Sequence, residues 1–422
     1  MRPAVTRCYG GRPPETVMLL TVLLACPPAA DPPVDDSASS GVAPTYYADV
    51  KPILDVSCVR CHDDKGIATS FADPAFVQAL APTIAARTAA GEMPPAAPDP
   101  ACRDYERSAT MVVTDAQKAV LAEWADAGAP LGDPADAVDG GGVPTLAPFD
   151  IERFQQVAYT PDIGGDGNDY RCYLLELGNE DPLWVSGVEP IIGNPKIVHH
   201  LVLYQVDDDV EVSSAPEGFE CGGLGESGWD FWVGWAPGGG PFSLPEGTAM
   251  RLDSNARLVL NMHYFGEAER LGESDLSGYG FVTQADKPEH AAVVYPLGTE
   301  RFTIPAGEEA HEEGMSFTWR QDYGTFHVQG VFPHMHLLGS AFTMSAGDDC
   351  MVDATPWDFH NQLTSMFTQE VVIDAGDQGD LTCTWDNSAA SPYQYNDPPE
   401  DVKFGEESNA EMCYAFTYGW FE

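Results

Sequence analysis

Cys58-Val59-Arg60-Cys61-His62 places two thiols and an imidazole within one or two turns of a helix. At that spacing the thiols can form thioethers with the vinyl groups of a haem, and the following histidine is placed to bind the iron. A redox or zinc-binding CxxC is the competing reading, but no second CxxC or matching histidine pair follows nearby. A second set of chemically able residues is dispersed: His199 and His200 in KIVHHLVLYQV, His263 in LVLNMHYF, His334 and His336 in FPHMHLLG, and Met412 in AEMCYAF. Alone, each such histidine is more simply a paired core residue. Taken together they form a donor set. Imidazole suits copper, zinc, iron and nickel alike, whereas a thioether favours Cu(I), so histidine with methionine points to copper. His334 and His336, two apart, would project from one face of a strand and grip one ion. His199 and His200 are adjacent and would face opposite ways, so shared ligation requires a bulge or a strand end there.

These side chains need two kinds of scaffold. Residues 46–131 are Ala-rich and helical in texture; Thr114-Asp115-Ala116-Gln117 is a capping box, followed by Val120, Leu121 and Trp124 on one face, with Gly128 and Pro130 as the stop. Residues 133–148, which contain Asp139-Gly140-Gly141-Gly142, read as a linker. From Phe149 onward the chain turns to short runs rich in Val, Tyr, Phe, Thr and Trp, at 197–206, 257–265, 325–332 and 412–420, separated by Gly, Pro, Asp and Asn. That pattern predicts antiparallel sandwiches rather than a parallel α/β sheet. The stretch is too long for one sandwich, and the polar break at 284–288 divides it into two β domains.

From about Tyr170 to Phe421 the order of motifs resembles the copper type II, ascorbate-dependent monooxygenases, the family of dopamine β-hydroxylase and peptidylglycine α-hydroxylating monooxygenase. Tyr170-Arg171-Cys172-Tyr173, the 235–247 stretch ending Leu244-Pro245-Glu246-Gly247, and Leu381-Thr382-Cys383-Thr384 ahead of Glu411-Met412-Cys413 agree as well. The resemblance implies that His199, His200 and His263 bind an electron-storing copper, and that His334, His336 and Met412 bind the copper at which O2 is activated. It also implies disulfides Cys172–Cys221 and Cys383–Cys413, and a supporting role for His327. Cys102 and Cys350 stay open, either as a bridge or as two separately used thiols. His290, His311 and His360 are read as surface or structural. Gly91-Glu92-Met93-Pro94-Pro95 resembles the loop that presents the distal methionine in small class I cytochromes c, so Met93 is assigned as the sixth iron ligand. Met111, just before the capped helix, is read as core.

The fold that follows is multidomain: a small all-α cytochrome c domain at 44–132, a linker at 133–148, and two all-β antiparallel, jelly-roll-like sandwich domains at 149–283 and 284–422. The cofactors are two copper ions and one covalently bound haem c. The implied reaction inserts one oxygen atom from O2 into a substrate C–H bond, with electrons from a one-electron donor relayed by the haem. The alternative is a non-catalytic exported electron-transfer or copper-binding protein. Amidating relatives hold a substrate carboxylate with an Arg two residues before the HxH pair and a Tyr four after the ligand Met. Here Phe332 and Phe416 stand there, and an apolar pair cannot balance a buried carboxylate. The expected substrate is therefore a neutral or aromatic small molecule.

A formal charge of −46 with only 20 Lys and Arg repels phosphate and excludes nucleic acid as a partner. Acidity of this kind reads as solubility or adaptation to salt. Arg2, Arg7 and Arg12 precede an apolar run at 17–25 that is too short to span a bilayer, which reads as a signal peptide over 1–25. Leu23-Leu24-Ala25-Cys26 resembles a bacterial lipobox, with Cys26 lipidated and 26–43 as a polar tether. The expected location is periplasmic or on the outer membrane or cell surface, with the membrane touched only through the lipid anchor. Of the ten cysteines, Cys8 lies in the leader; after Cys26, Cys58 and Cys61, six remain and permit three bridges in an oxidising compartment.

Overall fold

The computed structural model describes residues 43–422 apart from 65, 142–143, 165–166, 223–224, 267 and 406–408; Cys8, Cys26, the signal segment and nearly all of the tether lie outside the described residues. A helical turn at Tyr46–Val50 runs into Lys51–Ser57, and Val59–His62 carries the CxxCH. Pro74–Ala89 begins where the Asp73 side chain accepts from Ala75 N, and Asp115–Asp126 begins at the reciprocal Thr114/Gln117 cap. These helices bury Val50, Leu54, Val77, Leu121 and Trp124 in a core of their own. Trp124 Nε1 donates to the Pro130 carbonyl at 3.0 Å, which ties the stop of the last helix back to its apolar face.

The β region is built on a nine-stranded sheet running from Ile151–Phe154 at one edge to Ser365–Ile373 at the other. A five-stranded sheet containing Asn168–Glu176, Val198–Val206 and Arg257–Phe265 shares a core with its first half. A four-stranded sheet containing Gly339–Ala346 and Gln378–Trp385 shares a second core with the other half. Two cores match the expectation of two sandwiches. The expectation of separate antiparallel sheets does not hold, because Thr248–Leu252 pairs in parallel with His290–Gly298, His290 opposite Thr248. The polar break at 284–288 ends one strand, yet the chain returns beside a strand of the first half. The division therefore lies in the cores and not in the backbone ladder.

The helical region is joined to the second sandwich by residues 99–106. Asp99 N donates to the Asp353 carbonyl at 2.7 Å and Glu106 N to the Met366 carbonyl at 2.8 Å. Arg103 reaches the carbonyls of Cys350 and Gln369, and Tyr105 is buried in the second sandwich's core. Cys102 and Cys350 are bridged, with 5.4 Å between Cα atoms, which settles the pairing that composition leaves open. Cys172–Cys221 and Cys383–Cys413 are bridged as well. Ala43–Glu422 cohere as one compact unit.

Candidate metal centre

Val198–Val206 pairs antiparallel with Arg257–Phe265, and the register slips between Val198 and His200: Val198 faces Tyr264 and His200 faces His263. His199 is the extra residue of a bulge, which is how two adjacent side chains come to share one side of the sheet. The Nδ1 atoms of His199, His200 and His263 then form a triangle with edges of 3.1, 3.2 and 3.3 Å. Its centre lies about 1.9 Å from each nitrogen, close to the ~2.0–2.1 Å of a metal–imidazole bond. His263 Nε2 donates to Asn168 Oδ1 at 2.7 Å, which turns the neutral ring's Nδ1 lone pair toward that centre. Tyr170 stacks on His263 at 4.2 Å and fixes the ring plane. Burial, followed by the neighbouring His360, pushes His199 down to about 3. Burial and the neighbouring imidazoles hold His200 and His263 far below the usual histidine range. Neutral imidazoles are what metal ligation requires.

The second group is made differently. The strand Phe326–His334 ends at His334, so His336 lies beyond it and the two-residue strand period does not bring the pair together. What stops the ladder is Glu411, a fully buried carboxylate. Its Oε1 accepts from Leu338 N at 2.7 Å, and its Oε2 accepts from His336 N at 3.0 Å, Trp385 Nε1 at 2.7 Å and Met412 N at 3.3 Å. Burial pushes this carboxyl up to about 7, opposed by those four donors. The rings of His334 and His336 nevertheless meet edge to face, 5.1 Å apart. His334 donates from Nδ1 to Gln362 Oε1 at 2.7 Å, and its Nε2 is buried with no protein partner. His336 donates from Nδ1 to the Ala410 carbonyl at 3.1 Å, which fixes the orientation of its ring. Met412 is buried, its amide meets that of His336 on one Glu411 oxygen, and Cys413 beside it is bridged to Cys383. The Met412 side chain lines a cavity of about 690 Å³ with Phe231, Trp232, Tyr414 and Phe416.

The two groups are neighbours. His200 and His334 line one small pocket, and the Phe359 ring lies 6.5 Å from His200 and 6.4 Å from His336.

Cys58, Cys61, His62, Leu80, Ile84 and Met93 line a largely apolar cavity of about 700 Å³, within the ~300–1,000 Å³ usual for cofactor pockets. His62 donates from Nδ1 to the Thr69 carbonyl at 2.8 Å and stacks on Phe71 at 4.1 Å, so Nε2 is the nitrogen it could offer to a metal. Burial pushes the Cys58 thiol up to about 12 and raises that of Cys61. Neither is poised as the thiolate of a redox CxxC. Arg60 is bonded to the Gly238 carbonyl through Nη1, while its buried Nη2 has no protein partner, a donor suited to a carboxylate in the cavity. These features fit a haem with thioether links and propionates.

Residues 158–270 match the family model of the copper type II ascorbate-dependent monooxygenase, N-terminal domain. His199, His200 and His263 lie inside that match. The chain is 25% identical to the mouse (Mus musculus) DBH-like monooxygenase protein 1 over 65% of its length and 47% of that protein's. It is 26% identical to the human (Homo sapiens) DBH-like monooxygenase protein 1 over 63% of its length and 46% of that protein's. The chain thus spans about half the length of the curated relatives it matches. A superposition on allantoicase has a TM-score of 0.14, with 9% identity over 60% of this chain and 78% of that one, and carries no argument about the fold.

Several residues that shape these groups have no sequence signal. Gln362 and Asn168 each act on a histidine through one hydrogen bond and Glu411 gathers four donors, and although Glu411 stands in a motif that carries the resemblance, no period marks the role of any of them. His327 is stacked on Trp420 and paired with Glu370 and Glu422. His290 stacks on the same tryptophan, and His311 lies beside Trp385. His360, read from the sequence as surface or structural, lies against the trio, its Nδ1 2.8 Å from His199 Nε2.

Proposed function

We propose that the chain is an exported two-copper monooxygenase whose electrons arrive through a covalently attached haem. The triangle of Nδ1 atoms at His199, His200 and His263, inside the segment that matches the copper monooxygenase model, carries this reading. Copper held by that trio and by His334, His336 and Met412, with haem at Cys58, Cys61, His62 and Met93, would supply the redox chemistry: one atom of O2 enters a C–H bond and the other leaves as water, with two electrons and two protons consumed.

The chain's own residues supply ligand placement and a dry site. Asn168 and Gln362 hold the tautomers of His263 and His334, and Glu411 holds the loop that carries His336 and Met412. Phe231 stacks on Phe416 at 4.0 Å and on Phe332 at 5.6 Å, an apolar wall beside Met412. Gly234 lets the Phe332 ring sit close there, since a Cβ would come 2.8 Å from the ring's far edge and would push it aside. A charged substrate terminus would lose its hydration against this wall, where neither Phe332 nor Phe416 can pair it, and Arg251, which also lines the Met412 cavity, is already paired with Asp253. The substrate class is therefore a neutral or aromatic small molecule. Export, lipidation of Cys26 and a periplasmic or cell-surface location complete the proposal.

Metal and haem analysis of the exported protein, joined to O2 uptake, tests it. Two coppers, one covalent haem and copper-dependent O2 consumption with oxygenated product are the expected results. Copper and haem bound without turnover of any neutral aromatic compound would favour a carrier of electrons or copper. Strong competition by glycine-extended peptides would overturn the substrate class.

A further inference from the structure

We infer that His360 is the bridge by which electrons pass from the haem cavity to the trio of His199, His200 and His263; this rests on the haem-fed oxygenase reading above. His360 lines the cavity together with Cys58, Cys61, His62 and Met93, and His199 itself reaches the cavity beside it. Its Nδ1 lies 2.8 Å from Nε2 of His199. The opposite nitrogen of His199, Nδ1, is one corner of the triangle. Two π-conjugated rings joined by one hydrogen bond therefore lead from the cavity wall to the centre of the trio, with no saturated side-chain carbon along the way. Electronic coupling is strongest through bonded and hydrogen-bonded paths, and this one is continuous.

Independent contacts hold the cavity against this edge. Lys196, three residues before His199, donates to the carbonyls of Ile67 and Ala68 at 3.0 and 2.8 Å, and also to that of Gly66. Asn361, next to His360, donates to the carbonyls of Pro95 and Ala96, just past Met93. Arg60, inside the CxxCH, donates to Gly238 O at 3.0 Å, and a Cβ at Gly238 would come 2.8 Å from Cys61 Sγ. The loops on both sides of the cavity are thus bonded to residues that flank the His199–His360 pair. In the step itself one electron would leave ferrous haem, giving ferric haem, and would reduce Cu(II) held by the trio to Cu(I). No bond to carbon or oxygen changes, and the hydrogen bond between the rings is kept.

The test uses the full chain loaded with haem and copper. Haem is reduced without O2, and its oxidation by bound Cu(II) is followed by absorbance in the unaltered protein, His360→Phe and His360→Gln. Both variants should slow haem oxidation by about 10- to 100-fold, the usual range for removing the partner of a metal-bound histidine. Copper content, the haem spectrum and direct reduction of copper by added ascorbate should not change, and free imidazole should restore part of the lost rate. Should His360→Phe lose a copper, His360→Gln, which keeps an acceptor for His199, decides by the same measurement with the Cu(II) resonance signal as its check on the trio. Wild-type oxidation rates in the copper-replete variant overturn the bridge. Failure of the unaltered protein to pass electrons from haem to copper is a different result, and it overturns the haem-fed reading on which the bridge rests.

Discussion

His199, His200 and His263 are set by strand pairing: two strands, one bulge and the register of His200 against His263 bring three nitrogens to one point. His334, His336 and Met412 have no such help, for the strand stops at His334 and the rest of the group hangs on turns gathered by one buried carboxylate. A site written into a ladder inherits its rigidity. A site gathered by Glu411 depends on the four hydrogen bonds of one carboxylate, so a single change there reaches several of its residues at once.

Removing a ligand gives the largest separation of the two. His263→Ala should reduce bound copper from two to one and abolish turnover, while the copper at Met412 keeps its spectroscopic signature; loss of both coppers would mean that the groups are not independent. Glu411→Gln should do the converse, weakening copper at His334, His336 and Met412 by about 10- to 100-fold while the trio keeps its affinity. Equal weakening at both groups, read by titration, would erase the contrast. The paired change Cys102→Ser with Cys350→Ser should cost about 2–5 kcal/mol in stability, read as a lower thermal midpoint, with copper content unaltered. Lys196→Ala is the mildest: a charged donor lost from carbonyls at a partly exposed site should cost about 1–2 kcal/mol. Its effect should appear as slower transfer from haem to copper and not as lost metal.

The same contrast explains what the sequence discloses. The slip at His199 is legible because adjacency is local and the two neighbours have to face one way, whereas the grouping of His199 and His200 with His263 comes only with the family resemblance. CxxCH and the Thr114 cap are legible for the same reason, since each closes within a few residues. His334 and His336 look like strand neighbours, but the reason they meet is a glutamate 75 residues from His336. His360 sits in Asp358-Phe359-His360-Asn361, a turn with no periodicity, and its partner is 161 residues away. The Cys102–Cys350 bridge and the parallel pairing of Thr248–Leu252 are likewise products of tertiary docking. Local rules can rank such residues by type but cannot pair them.

Backbone bonds between Thr248–Leu252 and His290–Gly298 also limit motion. A clam-shell swing of one half from the other would strip ladder hydrogen bonds beside residues such as Ala249 and Met250 that water does not reach. The closeness of the two histidine groups is then held by the stiffness of the sheet. Breathing of the halves is opposed by this pairing, so adjustment around the histidines falls to side chains and loops.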